Sequence, residues 1–170
     1  MATVKISYGT WTTLTVTNLA SLANDATSPF GAWQSARVDN QTSELADDYE
    51  IVGKIPMANT APANDKALYC YVVPWVYDSS AWNLGANFGT TTAPTGSEGT
   101  ASIVDPNSMK GPISIPYPTQ DMDCNFFFNI CQLCGVCPDG WSLAIRNCSG
   151  AAVDSTGIII AYRSVKYTVA

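Results

Sequence analysis

The fold class of this chain follows from one stretch of sequence, Ala67-Leu-Tyr-Cys-Tyr-Val-Val-Pro-Trp-Val-Tyr77. Nearly every residue of this stretch is β-branched, aromatic or otherwise apolar, which is typical of a β-strand. Successive side chains of a strand point to opposite faces, and here both sets are apolar: Leu68, Cys70 and Val72 on one face, Tyr69, Tyr71 and Val73 on the other. A strand that is apolar on both faces is expected at the centre of a sheet, where both faces are covered.

Strand signals recur along the rest of the chain, as short β-branched and aromatic runs bounded by Gly, Pro, Asn and Asp. We predict strands over residues 3–8, 12–17, 30–38, 48–57, 67–77, 101–104, 112–116, 123–131, 141–147 and 157–169. Helix signals are nearly absent, and only residues 19–24 are compatible with a helical turn. About eight to ten short strands predict one all-β domain over residues 1–170, a sandwich or a barrel. We favour a β-sandwich with long loops, specifically an eight-stranded jelly roll, since its two sheets suit this length.

The charge balance excludes two classes of partner. The chain has eight Lys and Arg against 14 Asp and Glu, for a net charge of −6, and no basic run. Nucleic-acid binding and anionic membranes both need basic side chains, so we expect neither as a partner. No apolar run approaches the length of a membrane span. Residues 1–9 lack the apolar core and cleavage site of a signal peptide, so we expect synthesis and folding in a cytoplasm.

Most of the residue types and sequence motifs that indicate an enzyme are absent from this chain. The chain contains no histidine, which is the commonest general base and metal ligand. A Ser-His-Asp triad is therefore impossible within one chain, and no G-x-S-x-G turn appears. Neither a G-x-G-x-x-G segment nor a P-loop occurs, so we expect no cofactor. Together these absences favour a non-catalytic protein.

Cysteines form the sharpest local cluster. Five of the six lie within 25 residues: Cys124, Cys131, Cys134, Cys137 and Cys148. The run Cys131-x-x-Cys134-x-x-Cys137-Pro138 is similar to an iron–sulfur ligand run, but ten residues separate Cys137 from Cys148, and zinc sites need two close pairs. The cluster is therefore compatible with free packed thiols, with disulfides formed in an oxidising medium, with a metal at Cys131, Cys134 and Cys137, or with redox catalysis. We expect free thiols first and no bound metal.

Two segments are candidates for contact with a partner. The stretch from residue 85 to 99 is long, neutral and rich in small residues, which is typical of a flexible or functional loop. Trp82 precedes this loop and Phe88 lies within it, and both could contact a partner, pack in the core or stack on a sugar. Residues 111–118 contain three prolines in eight positions, which predicts an edge strand or an extended arm.

Two pairs of segments carry a family resemblance. One pair is Trp33-Gln-Ser-Ala-Arg-Val-Asp-Asn-Gln-Thr42 with Pro62-Ala-Asn-Asp-Lys-Ala-Leu-Tyr-Cys-Tyr71. The other is Trp141-Ser-Leu-Ala-Ile-Arg-Asn-Cys-Ser-Gly-Ala-Ala-Val-Asp154 with Tyr162-Arg-Ser-Val165. These segments resemble the head decoration, or cement, proteins of tailed bacteriophages, including cyanobacterial phages. The resemblance covers most of the chain but is loose over residues 78–120, and the cysteine cluster departs from it.

The resemblance implies a jelly-roll module that forms homotrimers on the outer surface of the virion capsid. It would bind the major capsid protein at three-fold or quasi-three-fold points and bridge neighbouring capsomers. An outer location suits a net charge of −6, because the capsid interior faces packed DNA. Residues 3–8, 85–99 and 111–118 would act as clamps, with these interface candidates: Trp82, Phe88, Ile113, Ile115 and Tyr117.

Two other functions stay open. A carbohydrate-binding adhesion module, or a tail-associated accessory module, would stack exposed aromatic rings on host glycans. A cysteine metal or redox protein is the weaker alternative, because no cation that would lower the pKa of a thiol lies beside the cluster in sequence.

Overall fold

A computed structural model describes residues 3–25, 30–41, 45–84, 95–103 and 109–169. In these ranges the chain forms twelve strands and one short helix. The elements are β1 (Val4–Tyr8), β2 (Thr12–Thr13), β3 (Phe30–Gln34), β4 (Val38–Asp39), β5 (Asp48–Pro56), β6 (Ala67–Tyr77), β7 (Trp82–Leu84), β8 (Gly99–Ile103), β9 (Lys110–Pro116), β10 (Asp123–Asn129), α1 (Ile130–Cys134), β11 (Gly140–Cys148) and β12 (Ile159–Val169). No helix in the described ranges is long and apolar enough to cross a membrane.

The strands build two antiparallel sheets. Sheet A has the order β1-β12-β5-β10, and β2 also pairs with β12. Sheet B has the order β7-β6-β11-β3-β8; β9 also pairs with β6, and β4 with β11. The predicted all-β sandwich is therefore confirmed.

The main core lies between the two sheets. Strand β5 shows why, since the odd-numbered residues Tyr49, Ile51, Gly53 and Ile55 are buried, while Glu50, Val52 and Lys54 between them are more exposed. Alternate residues of β6 and β11 face them from sheet B, including Leu68 and Leu143. Burying one such aliphatic side chain contributes about 1.5–3 kcal/mol, so the period-two pattern of each strand fixes which face points inward.

Strand β6 is central, as its two apolar faces predict. It pairs with β11 on one side and with β7 and β9 on the other. Val72 lies in the main core, and Val73 lies in a second apolar cluster on the outer face of sheet B. Strand β9 pairs with β6, and no other described strand pairs with β9, so the proline-rich segment forms an edge strand as predicted.

Four local predictions were wrong. The strand expected over 123–131 ends at Asn129, because the Asp48 carboxylate accepts the Cys131 N–H at 2.9 Å and the chain turns into α1. Residues 12–17 contribute only Thr12–Thr13 to a strand, and the strand expected over 30–38 is interrupted between β3 and β4. Residues 17–21 form a turn without a helix, and β7 was not predicted.

Candidate interaction surface

The two faces of sheet A differ sharply. Strand β12 pairs with β5 so that Ile160 and Tyr162 lie opposite Gly53 and Ile51, on the inner face. The odd-numbered residues of β12 therefore point away from sheet B, as do the even-numbered residues of β5. In β10, whose register with β5 is continuous, Phe127 also points outward.

The outer face of sheet A carries most of the large apolar side chains that are exposed in the described part of the chain. Eleven such side chains are exposed among the described residues. Eight of them lie on this face or stack on it, with exposures between 45% and 75%: Val4, Ile6, Tyr8, Trp11, Phe127, Ile159, Tyr167 and Val169. We call this set the apolar face.

Strand register makes the apolar face continuous. Strand β1 pairs with the end of β12, which places Ile6 opposite Tyr167 and Val4 opposite Val169. At the other end of the face, Phe127 lies opposite Val52 of β5. Since β12 spans Ile159–Val169 at about 3.3 Å per residue, the face is roughly 33 Å long.

Arg163 stands in the middle of this face without breaking it. Its guanidinium carbon lies 4.2 Å from the centre of the Tyr8 ring and 4.7 Å from that of Trp11. Two of its nitrogens, Nε and Nη2, each lie 2.6 Å from Oε2 of Glu50. Cation–π contacts and the ion pair thus satisfy this charge within the chain.

The other exposed charges of the sheet A strands on this face are also paired. Lys54 Nζ lies 2.8 Å from Oδ2 of Asp123, on the neighbouring strand. With Arg163 and Glu50, these ion pairs hold two positive and two negative charges. A further carboxylate on the outward side of β5, that of Asp48, is buried and accepts the N–H groups of Tyr49 and Cys131. The exposed charges of the described strands on this face therefore balance, although the whole chain has a net charge of −6.

The outer face of sheet B is covered by the chain itself. Tyr71, Val73 and Trp75 of β6 are buried there together with Met109. Trp75 also donates its indole N–H to Ser142 Oγ at 3.0 Å. Of the two outer faces, that of sheet A is the apolar one left open.

Two of the sequence-predicted interface residues belong to the core instead. Ile115 is 1% exposed and Tyr117 is 0% exposed, so the expectation that they are exposed was wrong. Ile115 lies opposite Leu68, which turns its side chain inward. The Tyr117 hydroxyl donates toward the carbonyl oxygens of Ala58 and Thr60, 3.1 and 2.8 Å away. Ile113 is half-buried against the same core.

Trp82 also has contacts within the chain. Its ring lies 4.1 Å from the guanidinium carbon of Arg37 and 5.0 Å from the centre of the Tyr77 ring. The side chain is half-buried, so it packs on the protein with part of its surface in solvent. Phe88, and the loop from residue 85 through 94, lie outside the described residues.

The sequence contains a signal for part of the apolar face. Val4, Ile6 and Tyr8 alternate with Lys5 and Ser7, which predicts a strand with one apolar face. Such a face normally lies in the core. Only the pairing of β1 with β12 shows that this face points outward.

All six cysteines are free thiols. The Cys131 thiol donates to the Asp47 carbonyl oxygen at 3.1 Å, and Cys137 Sγ accepts a hydrogen bond from Asn40 at 3.3 Å. Cys124 and Cys148 are buried, and each lies near a backbone carbonyl. Among the described residues no three Cys, Asp or Glu side chains are close enough together to hold a metal ion. The candidate ligands Cys131, Cys134 and Cys137 are not brought together as a three-ligand cluster in this geometry.

Burial keeps these thiols protonated. It raises the pKa of Cys124 and Cys134 to about 11 and that of Cys70 and Cys137 to about 12. The pKa of Cys131 is raised by burial and further by its hydrogen bond with Asp48. A catalytic or redox-active thiol needs a lowered pKa, so the environment of the cluster favours structural thiols.

A small polar pocket lies beside the β1–β2 turn. Its volume is about 250 Å³, and its lining includes three aliphatic hydroxyls, two tyrosines and a carboxylate. The lining residues are Thr10, Thr12, Val38, Asp39, Tyr49, Tyr162 and Ser164. Hydroxyl, carboxylate and aromatic groups together are the side chains that bind small polyols and sugars.

Comparisons with protein-family models, curated proteins and solved structures found no match to the chain. The apolar face is the feature of the molecule with the clearest functional meaning. Soluble monomers rarely expose contiguous apolar patches of more than a few hundred Å², and larger patches mark interaction sites.

Proposed function

We propose that this chain is a non-catalytic structural protein of a tailed-phage virion. It decorates the outer surface of the capsid as a homotrimer and cements neighbouring capsomers by bridging them. The observation that supports an assembly role is the apolar face of sheet A, which is exposed in the single chain. The resemblance of residues 33–71 and 141–165 to phage decoration proteins supports the location.

The size of the apolar face is suited to a stable protein contact. Eight side chains, each exposing about half of the roughly 150–250 Å² that a large side chain can bury, present on the order of 800 Å². A standard interface buries about 800 Å² on each partner. Burial at about 25 cal/mol per Å² would be strongly favourable before the entropy of association is subtracted.

The proposal includes a jelly-roll topology for the sandwich. Along the chain, β1 and β2 lie in sheet A, β3 and β4 in sheet B, β5 in A, β6 to β9 in B, β10 in A, β11 in B and β12 in A. The chain therefore crosses repeatedly between the two sheets, as it does in a jelly roll, although the sheets have five and seven strands here instead of four each. The repeated crossing is the feature that favours this topology.

The proposed mechanism is mechanical rather than chemical. A trimer that touches several capsomers adds binding energy only to the assembled lattice, so it stabilises that lattice by mass action. The net charge of −6 suits the outer surface, away from packed DNA. The absence of histidine from the chain and the raised pKa of the buried thiols both agree with a non-catalytic role.

The test is binding to capsids assembled without this chain. Purified protein should bind such capsids at a fixed ratio to the major capsid protein and raise the temperature at which they rupture. The variant Ile6→Lys should bind at least several-fold more weakly, whereas Ser7→Lys, on the opposite face of β1, should bind like the wild type. If wild-type protein does not bind these capsids, the proposal is wrong.

The polar pocket beside the β1–β2 turn favours one second candidate, a carbohydrate-binding module. Its hydroxyl and carboxylate lining could hold one sugar ring. Asp39 would accept hydrogen bonds from the hydroxyls of the sugar, and Ser164 could accept or donate them. A glycan array screened with wild-type protein and with Asp39→Ala tests this role. Binding that depends on Asp39 would support it, and a blank array would remove it.

A further inference from the structure

We infer that the apolar face of sheet A is the surface through which copies of this chain bind one another. The inference rests on the proposed function only for the number of copies, which is three in the proposed trimer. Self-association through this face does not require a capsid.

The charges of the face are satisfied within the chain, which favours an apolar partner. Arg163 is paired with Glu50, and Lys54 with Asp123, so the face offers no surplus of positive charge to a polyanion. The buried Asp48 carboxylate, on the outward side of β5, accepts hydrogen bonds from N–H groups of the chain itself. A second copy presents the same surface, and the contact leaves none of these charges without its partner.

The net charge of the chain works against association. Two copies with a net charge of −6 each repel one another, and that repulsion is screened over about 8–10 Å in physiological salt. Because the charges within the two ion pairs of the face balance, contact through these residues adds little to the repulsion.

The area of the apolar face also favours a second copy of the chain as the partner. On the order of 800 Å² of apolar surface per copy matches one side of a standard interface. The face also ends at β1, an edge strand whose far side pairs with no other described strand. Covering this edge by another copy removes a site that would otherwise favour uncontrolled strand pairing.

The alternation within β1 and β12 provides matched variants. Ile6 and Tyr167 lie on the apolar face, while Ser7 and Thr168 are exposed neighbours on the opposite face of the same strands. All four side chains are exposed, so a lysine at any of them can be accommodated in the folded monomer. The control lysines lie opposite Lys166 and Lys5 on the neighbouring strand, so circular dichroism also checks that these like charges leave the fold intact. Lysine at position 6 or 167 would, however, place an unpaired charge in the contact.

The experiment is multi-angle light scattering of the purified chain over a range of concentrations, without capsids. We expect the wild type to have a mass of about three times the 18.1 kDa of one chain. Ile6→Lys and Tyr167→Lys should each weaken association by on the order of 100-fold, because burying an unpaired charge is strongly unfavourable. Ser7→Lys and Thr168→Lys should associate like the wild type. Circular dichroism should give the same spectrum for all five proteins.

Two results would overturn the inference. One is a wild type that stays at 18.1 kDa at every concentration; the other is association that Ile6→Lys and Tyr167→Lys leave unchanged. The outcome is separate from that of the capsid experiment. A monomeric wild type that still binds capsids overturns only self-association. A dimer that Ile6→Lys dissociates overturns only the number of copies, and a trimer that ignores capsids overturns only the virion role.

Discussion

Ile6 of β1 lies directly opposite Tyr167 of β12, and these two large apolar side chains are 54% and 50% exposed. In most sandwiches such a cross-strand pair would lie in the core, where it would stabilise the sheet. Here the pair faces outward at the end of a continuous apolar strip. This arrangement leaves the single chain with a surface that a partner can cover.

The ion pair in the middle of the apolar face should contribute more to stability than the one at its edge. Arg163 is bound by Glu50 and stacked on two rings, whereas Lys54 and Asp123 are largely in solvent. We expect a coupling of about 1–2 kcal/mol between Arg163 and Glu50 and of less than about 1 kcal/mol between Lys54 and Asp123. Double-mutant cycles measured by urea unfolding at fixed protein concentration check this, and equal couplings for the two pairs would contradict it.

Adjacent residues of β5 should respond very differently to truncation. Ile51 is fully buried in the core between the sheets, and its neighbour Val52 points to the outer face. Ile51→Ala should lower the free energy of unfolding by about 2–5 kcal/mol, because it leaves a cavity. Val52→Ala should lower the free energy of unfolding of the monomer by about 1 kcal/mol or less. Denaturant unfolding of both variants measures the difference, and similar losses would show that the assignment of faces is wrong.

Gly53 should not tolerate a side chain. A Cβ atom at this position would overlap the ring of Phe126, which lies across from it in the register of β5 and β10. We expect Gly53→Ala to lower the free energy of unfolding by about 1–3 kcal/mol, because the added methyl group overpacks the core. The double variant Gly53→Ala with Phe126→Leu should lose less stability than the sum of its two single variants. Purely additive losses would mean that the ring does not occupy this space.

The free energy of unfolding should fall at alkaline pH. Burial raises the pKa of Cys70 from its ordinary value of 9.0 to about 12. Below pH 9 this thiol is protonated in both the folded and the unfolded chain, and its contribution to stability is fully present. As the pH rises from 9 toward 12, the unfolded chain loses the proton first, so stability falls.

Chemical unfolding at several pH values between 7 and 11 measures this loss. The control is Cys70→Ala, which removes the most buried thiol and should show a smaller loss between pH 9 and 11 than the wild type. Identical pH slopes for the two proteins would contradict the assigned burial of Cys70.

The sequence was sufficient for the fold class and for the position of β6. That strand is apolar on both faces, and nothing outside residues 67–77 was needed to place it at the centre of a sheet. Helix α1 could not be predicted in the same way. The residue that ends the preceding strand is Asp48, which binds the Cys131 N–H from far away in the sequence.

The candidate site was less predictable than the fold. Alternation shows that β1 has an apolar face, but the pairing with β12 decides whether that face points inward or outward. The prolines of residues 111–118 correctly indicated an edge strand, yet Ile115 and Tyr117 of that segment are buried. An edge position exposes the backbone of a strand, whereas its inward side chains still pack in the core.

The measurement that most directly tests the proposed virion role is quantitative mass spectrometry of purified virions that encode this chain. We predict many copies per particle, in a fixed ratio to the major capsid protein, and accessible to protease or surface labelling on intact particles. Absence of the chain from purified virions, or its protection inside them, would contradict an external cement protein.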